Sequence, residues 1–174
     1  ANAFTESIVK EMASHHKHPI ILPLSNPTSK SEAIPEDLIK WTEGRALIAC
    51  GSPFPPVFYQ GKHIRISQSN NALCYPGLGL VVLVSKATRV SDDMLWAACK
   101  TLISFSPAKT DPSKPLLPDF SNILQKSRAI AKAVATQAIQ EGLAQIDPQA
   151  DLDKIMDAII LEPRYYPYYK ITKT

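Results

Sequence analysis

Two places along the chain carry side-chain amides where a small, oxygen-rich ligand could meet them. One is Asn26, within Ser25-Asn26-Pro27-Thr28, and the other is the adjacent pair Asn70-Asn71. An amide offers two donors and an acceptor, a set that suits hydroxyl and carboxylate groups. Asn26 precedes a proline, which biases its backbone toward the extended region. It also follows the apolar run Pro19 to Leu24, so its side chain is expected to be aimed outward from a strand end. An asparagine in such a place also forms turns by bonding its own backbone, and adjacent asparagines also serve as loop residues or caps. The residues alone leave both readings open.

Other groups with chemical potential read more plainly. Ser52 has no GxSxG surroundings and no His–Asp pairing to go with it, so nucleophilic catalysis is not expected. Ser14-His15-His16-Lys17-His18 carries the imidazoles of a metal cluster, but a lysine interrupts it and no second ligand group has a convincing spacing; it reads as a solvated connection. Pro76-Gly77-Leu78-Gly79 lacks the third glycine of a dinucleotide loop, and its glycines read as close packing. Cys50, Cys74 and Cys99 lie about 25 residues apart. That spacing fits neither a zinc site nor a redox CxxC, and points to reduced thiols packed as small hydrophobes in a cytoplasmic setting.

The elements that must position the amides follow from apolar patterning. Thr5 caps an expected helix from Glu6 to about Ser14, with Ile8, Val9 and Met12 on one face. Pro19 to Leu24 is a continuous apolar run of the kind buried on both faces of a parallel sheet. Ser29-Lys30-Ser31-Glu32 fits a capping box, while Pro35 places the start of the regular helix, which is expected to run to Glu43 and stop at Gly44. Arg45 to Cys50 is a second buried strand, closed by Gly51-Ser52-Pro53. Strand, helix and strand in so short a span form a βαβ unit, hence an α/β fold with a parallel sheet. In such sheets ligands bind beyond the carboxyl ends of the strands, where Ser25–Thr28 and Gly51–Pro53 are expected.

A hairpin is expected next, Val57 to Tyr59 against His63 to Ile66 around Gln60-Gly61. An apolar helix or loop-helix follows from Leu73 to Lys86. Ser91 caps another helix that runs to about Ser104, with Asp92 and Asp93 favoured in its first turn. Ser106 to Pro118 is a proline-rich connection, Ser121 to Gly142 a long alanine-rich helix and Asp151 to Leu161 a short one. The tail from Glu162 onward cannot continue as a helix, and its prolines and four tyrosines are expected to form an extended segment packed on a neighbouring subunit.

Composition narrows the class. The chain has 174 residues, 45% hydrophobic and 20% charged, with a net charge of +3, which suits one globular domain. Its basic residues are scattered, which argues against a nucleic-acid partner, since phosphate-tracking grooves need clustered Lys and Arg. The longest apolar stretch, Leu78 to Val84, is far too short to span a membrane. Ala1 is not an initiator Met and an amphipathic pattern begins at once, from which an upstream part is expected to be missing.

Four blocks taken in order carry a family resemblance: Pro19–Ser29, Trp41–Pro56, Gln68–Leu80 and Ser91–Met94. Together they resemble the malic enzymes over nearly the whole chain, most closely the bacterial NAD-dependent type, whose C-terminus also bears an aromatic and arginine-containing tail. Ser69 stands where many animal members have Gly. The resemblance implies the C-terminal part of a Rossmann-like NAD-binding domain, followed by long C-terminal helices and an extended tail. It implies oxidative decarboxylation of L-malate to pyruvate and CO2 with NAD, or NADP, and with Mg2+ or Mn2+. It also implies that Asn26 and Asn70 touch malate, that Asn26 and Asn71 touch the nicotinamide end of the cofactor, and that the enzyme is a homo-oligomer. The family's general acid, general base, metal ligands and glycine-rich fingerprint are expected upstream of Ala1, so no catalytic residue is expected here and the chain alone is expected not to turn malate over. Two other outcomes remain open from the sequence: malolactic conversion of malate to lactate, and a non-catalytic binding or oligomerisation module.

Overall fold

The computed structural model describes residues 1–161 together with Tyr165, Pro167 and Tyr168. Helix α1 (Glu6–His15) starts at Thr5 and buries Val9 and Ala13, whereas Ile8 and Met12, expected on the same face, are exposed. Strand β1 (Ile20–Ile21) follows. Pro19, Ile21 and Pro23 are buried, but Ile20, Leu22 and Leu24 are 50%, 42% and 48% exposed. The apolar run is therefore covered on one face only within this chain, not on both as expected. β1 lies at an edge of its sheet, and no described element covers Ile20, Leu22 and Leu24.

Helix α2 (Pro35–Trp41) carries proline in its first turn, where the missing N–H costs nothing. It stops at Trp41, short of the expected Glu43, because Glu43 (φ 55°) and Gly44 (φ 79°) turn left-handed. Gly44 N donates to Ile39 O at 2.8 Å and Glu43 N to Lys40 O at 3.2 Å, the paired bonds of a Schellman cap. Glycine also fits at Gly44 because a Cβ there would sit 3.1 Å from the Tyr59 ring. The buried Thr42 hydroxyl donates to Leu38 O at 2.7 Å and accepts from Ala46 N at 3.2 Å, which joins the helix end to the next strand.

Strand β2 (Leu47–Cys50) runs parallel to β1, with Ile20 opposite Leu47 and Ile21 opposite Ile48. Strands β3 (Val57–Tyr59) and β4 (Lys62–Ile64) form the expected hairpin, turned by Gln60 and Gly61, both at positive φ as a two-residue turn requires. A third parallel strand, β5 (Ser67–Gln68), pairs with β2 through Ala49–Ser67 and Cys50–Gln68. Sequence patterning does not separate this strand from the hairpin, since it is two polar residues long. The spatial order is β1-β2-β5. Leu38, Ile39, Ile48 and Cys50 centre the core of this half, with Phe4, Trp41, Phe54 and Tyr59 packed around them.

The second half is helical. A 3-10 turn, Asn71–Leu73, leads into α3 (Tyr75–Ser85), followed by α4 (Asp92–Ser104), α5 (Ile123–Gln140) and α6 (Leu152–Ile159). The α5 boundaries fall just inside the expected Ser121–Gly142. Val81, Val84, Met94, Ile130, Val134 and Met156 form its core, each at most 1% exposed. Arg128 reaches Asp157 at 2.7 Å and Lys132 pairs with Asp153, which fastens α6 along α5. Glu141 Oε1 accepts from the α4 cap Ser91 Oγ and from Gln137 Nε2, both at 2.9 Å. These donors hold the Glu141 carboxyl below the usual glutamate range.

Of the two glycines expected to pack closely, only one does. A Cβ on Gly77 would lie 2.8 Å from Ile130 Cβ and Cγ2 and 2.9 Å from Ser127 O, whereas Gly79 has nothing within 4 Å. Gly77→Ala is expected to destabilise the chain by about 1–3 kcal/mol through overpacking, and Gly79→Ala to leave it unchanged or raise stability by up to about 1 kcal/mol through helix propensity. Denaturant melts of the two variants check this, and equal effects would contradict the packing. Acid should expose the Glu141 contacts. A carboxyl whose folded pKa is depressed adds stability above its unfolded value, and that stability is lost as pH falls through the folded pKa. Glu141→Gln is expected to melt below the wild type near neutrality, with the gap closing as the pH falls below the ordinary glutamate range.

Candidate functional site at the carboxyl edge of the sheet

Because β1, β2 and β5 are parallel, their carboxyl ends share one edge, and the chain leaving each end carries a polar residue to it. After β1 come Ser25-Asn26, after β2 Gly51-Ser52, and after β5 Ser69-Asn70-Asn71. The pairing continues past the strands: Gly51 N donates to Pro23 O at 2.9 Å and Ser69 N to Cys50 O at 2.7 Å. Gln68 Nε2 adds a bond to Gly51 O at 3.4 Å. The sheet order thus places Ser52 between the β1 end with Asn26 and the β5 end with the paired asparagines.

Gly51 determines how closely the first two ends meet. A Cβ built on it would lie 2.1 Å from Leu24 O and 3.1 Å from Asn26 Nδ2, so a side chain at Gly51 would force the β1 end away. With glycine there, the Ser52 hydroxyl donates to Asn26 Oδ1. Ser52 is buried and Asn26 is exposed, so the buried hydroxyl orients an exposed amide. The Asn26–Pro27 peptide is cis.

Asn70 is held differently. It caps the 3-10 turn, and its Oδ1 accepts from Ala72 N at 2.9 Å. The cap reading and the ligand reading of this residue are compatible, because the bond uses only the amide oxygen. In both Asn26 and Asn70 the amide oxygen accepts a bond from within the chain and the residue is exposed, and the NH2 group of each adds two donors. Asn71 begins the same turn with an exposed side chain, and its carbonyl accepts from Cys74 N at 3.0 Å. The edge therefore displays hydrogen-bond donors, which suits a ligand rich in acceptor oxygens.

Around the edge, Glu32 accepts from Ser25 N at 3.1 Å and Ser25 Oγ at 2.7 Å, and these bonds hold its carboxyl below the usual range. The capping box expected at Ser29–Glu32 does not form, because this carboxylate turns to Ser25 instead. Burial pushes the Cys50 thiol up to about 12 and raises the Cys74 thiol, so neither is a thiolate nucleophile near neutral pH.

Elsewhere, the histidine-rich connection is structural. Arg45 Nη1 donates to Ala13 O and His16 O at 3.0 Å, and His15 Nε2 lies 2.9 Å from Glu11 Oε1. Among the described residues no three His, Cys, Asp or Glu side chains could together hold a metal ion. Among the described residues, no helix is long and apolar enough to cross a membrane. The expected packing of the tail lies outside the described residues, apart from exposed Leu161, Tyr165 and Tyr168. Sequence reasoning missed Ser52 as the partner of Asn26 and Glu32 as the partner of Ser25. The signal for the first was a small hydroxyl one residue after a strand-end glycine.

Known proteins resemble this chain in sequence and backbone. The family model described as "Malic enzyme, NAD binding domain" matches residues 1–139. NAD-dependent malic enzyme 3 of Bacillus subtilis is 49% identical over 170 residues, covering 98% of this chain and 29% of that protein. An NAD-dependent malic enzyme of Aeromonas salmonicida is 49% identical over 165 residues, covering 95% of this chain and 29% of its own length. The chain thus spans less than a third of the curated relatives it matches. A malic enzyme crystal structure from Entamoeba histolytica superposes with a TM-score of 0.70 at 23% identity, over 91% of this chain and 29% of that one. One from Pyrococcus horikoshii gives 0.68 at 25% identity, over 90% and 31%. These two likenesses concern the backbone, an α/β arrangement of Rossmann-like type. With its four sequence blocks, its parallel sheet and the matched family model, this chain belongs to the malic enzyme NAD-binding domain family.

Proposed function

We propose that the protein carrying this chain oxidatively decarboxylates L-malate to pyruvate and CO2 with NAD, in the cytoplasm and as a homo-oligomer, with NADP a possible substitute. In this reading the carboxyl edge of the sheet supplies the contacts of Asn26 and Asn70 to malate, and those of Asn26 and Asn71 to the nicotinamide end. The observation that carries it is that parallel strand ends bring exposed amides to one edge, each held by its oxygen, Asn26 by Ser52 and Asn70 by Ala72. Malate is a dianion with five acceptor oxygens, and donors are what it requires.

NAD, when bound, accepts the hydride from malate C2. The residues of this chain would hold C2 within reach of the ring and keep the carboxylates from rotating away, a positioning role of the kind that oriented groups contribute to hydride transfer. Ser52 holds the Asn26 side chain by its tip, which limits how far the amide can rotate. The glycine-rich phosphate-binding segment and the divalent metal ion, Mg2+ or Mn2+, belong to residues outside this chain in this reading. A second class, the non-catalytic module, loses ground because the chain matches a part of longer proteins named as NAD-dependent malic enzymes.

Two substitutions separate capping from ligand binding at Asn70. Asn70→Asp keeps the oxygen that accepts from Ala72 N, but it loses both donors and adds a negative charge. In the full-length protein it is expected to melt like the wild type and to lose about ten- to a hundred-fold or more in malate kcat/KM, since a hydrogen bond to a charged group contributes roughly 1.5–3 kcal/mol. Asn70→Ser, which keeps a capping oxygen, is expected to retain stability with a similar kinetic loss. Asn26→Ala is expected to fall in the same kinetic range. Normal malate kinetics in all three variants would exclude the edge as the substrate site.

A further inference from the structure

Ser52 is not the only group that fixes Asn26. The residue immediately before it, Ser25, gives both its N–H and its hydroxyl to one carboxylate, that of Glu32, at 3.1 and 2.7 Å. Together they close a loop that contains Asn26, Pro27 and the 3-10 turn Thr28–Lys30. The far side of the loop is itself anchored. Glu32 O accepts from Phe4 N at 3.0 Å, and Ser31 O accepts from Asn2 N at 3.0 Å. The buried Ser31 hydroxyl donates to Ala33 O at 2.9 Å, and Ala33 lies in the core beneath the sheet. The carboxylate therefore projects from fixed backbone, whereas residues 25–30 are all exposed.

We propose that Glu32 is a positioning residue for malate, acting through Ser25 to hold Asn26 at the sheet edge. This rests on the reading that Asn26 contacts malate. The physical case is one of freedom. Ser52 fixes the amide at its tip by a single bond, and the backbone that carries the amide would otherwise pivot between Leu24 and the turn at Thr28. Two charge-assisted bonds to the preceding residue remove that pivot. A reacting group misplaced by about 1 Å can cost on the order of a hundred-fold in rate, so a clamp of this kind bears on catalysis more than on stability. Glu32 is ionised at neutral pH, and only the ionised form accepts both Ser25 donors without offering a competing one.

The test uses the full-length protein carrying Glu32→Ala or Glu32→Gln, with Asn26→Ala as a control. Glu32→Ala is expected to lower kcat/KM for malate about tenfold, with a melting temperature near that of the wild type. Glu32→Gln keeps one accepting oxygen and is expected to fall between the two. Wild-type malate kcat/KM in both Glu32 variants, beside an impaired Asn26→Ala, would overturn the proposal. So would a loss that disappears once activity is normalised to the folded fraction. A kinetically silent Asn26→Ala would instead refute the substrate reading on which the proposal rests. The clamp then has its own readout in the NMR signals of the Asn26 side-chain NH2. Shifted or broadened signals in Glu32→Ala are expected, and unchanged signals would overturn the clamp itself.

Discussion

The carbonyl oxygen of Leu24 lies where a side chain on residue 51 would begin, 2.1 Å from an ideal Cβ, so the ends of β1 and β2 can meet as they do only over a glycine. That contact lets the buried Ser52 hydroxyl reach Asn26 Oδ1. The rest of the candidate site depends on it. Parallel pairing brings the strand ends to one edge, but pairing alone would leave the Asn26 amide free to rotate and to present either of its faces. The hydroxyl removes one of those choices, and the backbone N–H of Ala72 removes the same choice at Asn70. The edge thereby carries held, exposed neutral amides able to donate, without placing a net positive charge in the site.

Two cores share the work of supporting that edge. The first packs α1, α2 and the hairpin around β1 and β2 and fixes the strand ends. The second, built from α3 to α6, holds the turn that follows β5, through the close seat of Gly77 against Ile130. The paired asparagines lie at the junction, in the 3-10 turn between the last strand and the first helix of the bundle. Exposed apolar side chains at Ile20, Leu22 and Leu24 show that one face of β1 and its extension is uncovered within this chain, whereas Ile48, Ala49 and Cys50 of β2 are buried.

Much of this arrangement could be read from residues alone, for identifiable reasons. The βαβ unit was legible because Pro35, Gly44 and the apolar runs mark it locally, and the hairpin because Gln60-Gly61 can take positive φ at both positions. Asn26 and Asn70 stood out as amides at breaks in apolar runs. What could not be read depends on distance in space. β5 is two residues long and polar, and only its partner β2 makes it a strand. Glu32 looked like a helix cap by spacing, but its carboxylate serves Ser25, seven residues back. Gly79 has the same local surroundings in sequence as Gly77, and only the position of α5 tells them apart.

The link between Ser52 and Asn26 is the most direct place to test the whole arrangement, by a double-mutant cycle on malate kcat/KM in the full-length protein. Ser52→Ala alone is expected to lower it about three- to ten-fold, by freeing the amide. If Ser52 acts only by orienting Asn26, then Asn26→Ala combined with Ser52→Ala should be no worse than Asn26→Ala alone, because residues that act as a unit are strongly non-additive. Losses that multiply in the double variant would show that the two side chains act independently and would contradict the assembly of the site described above.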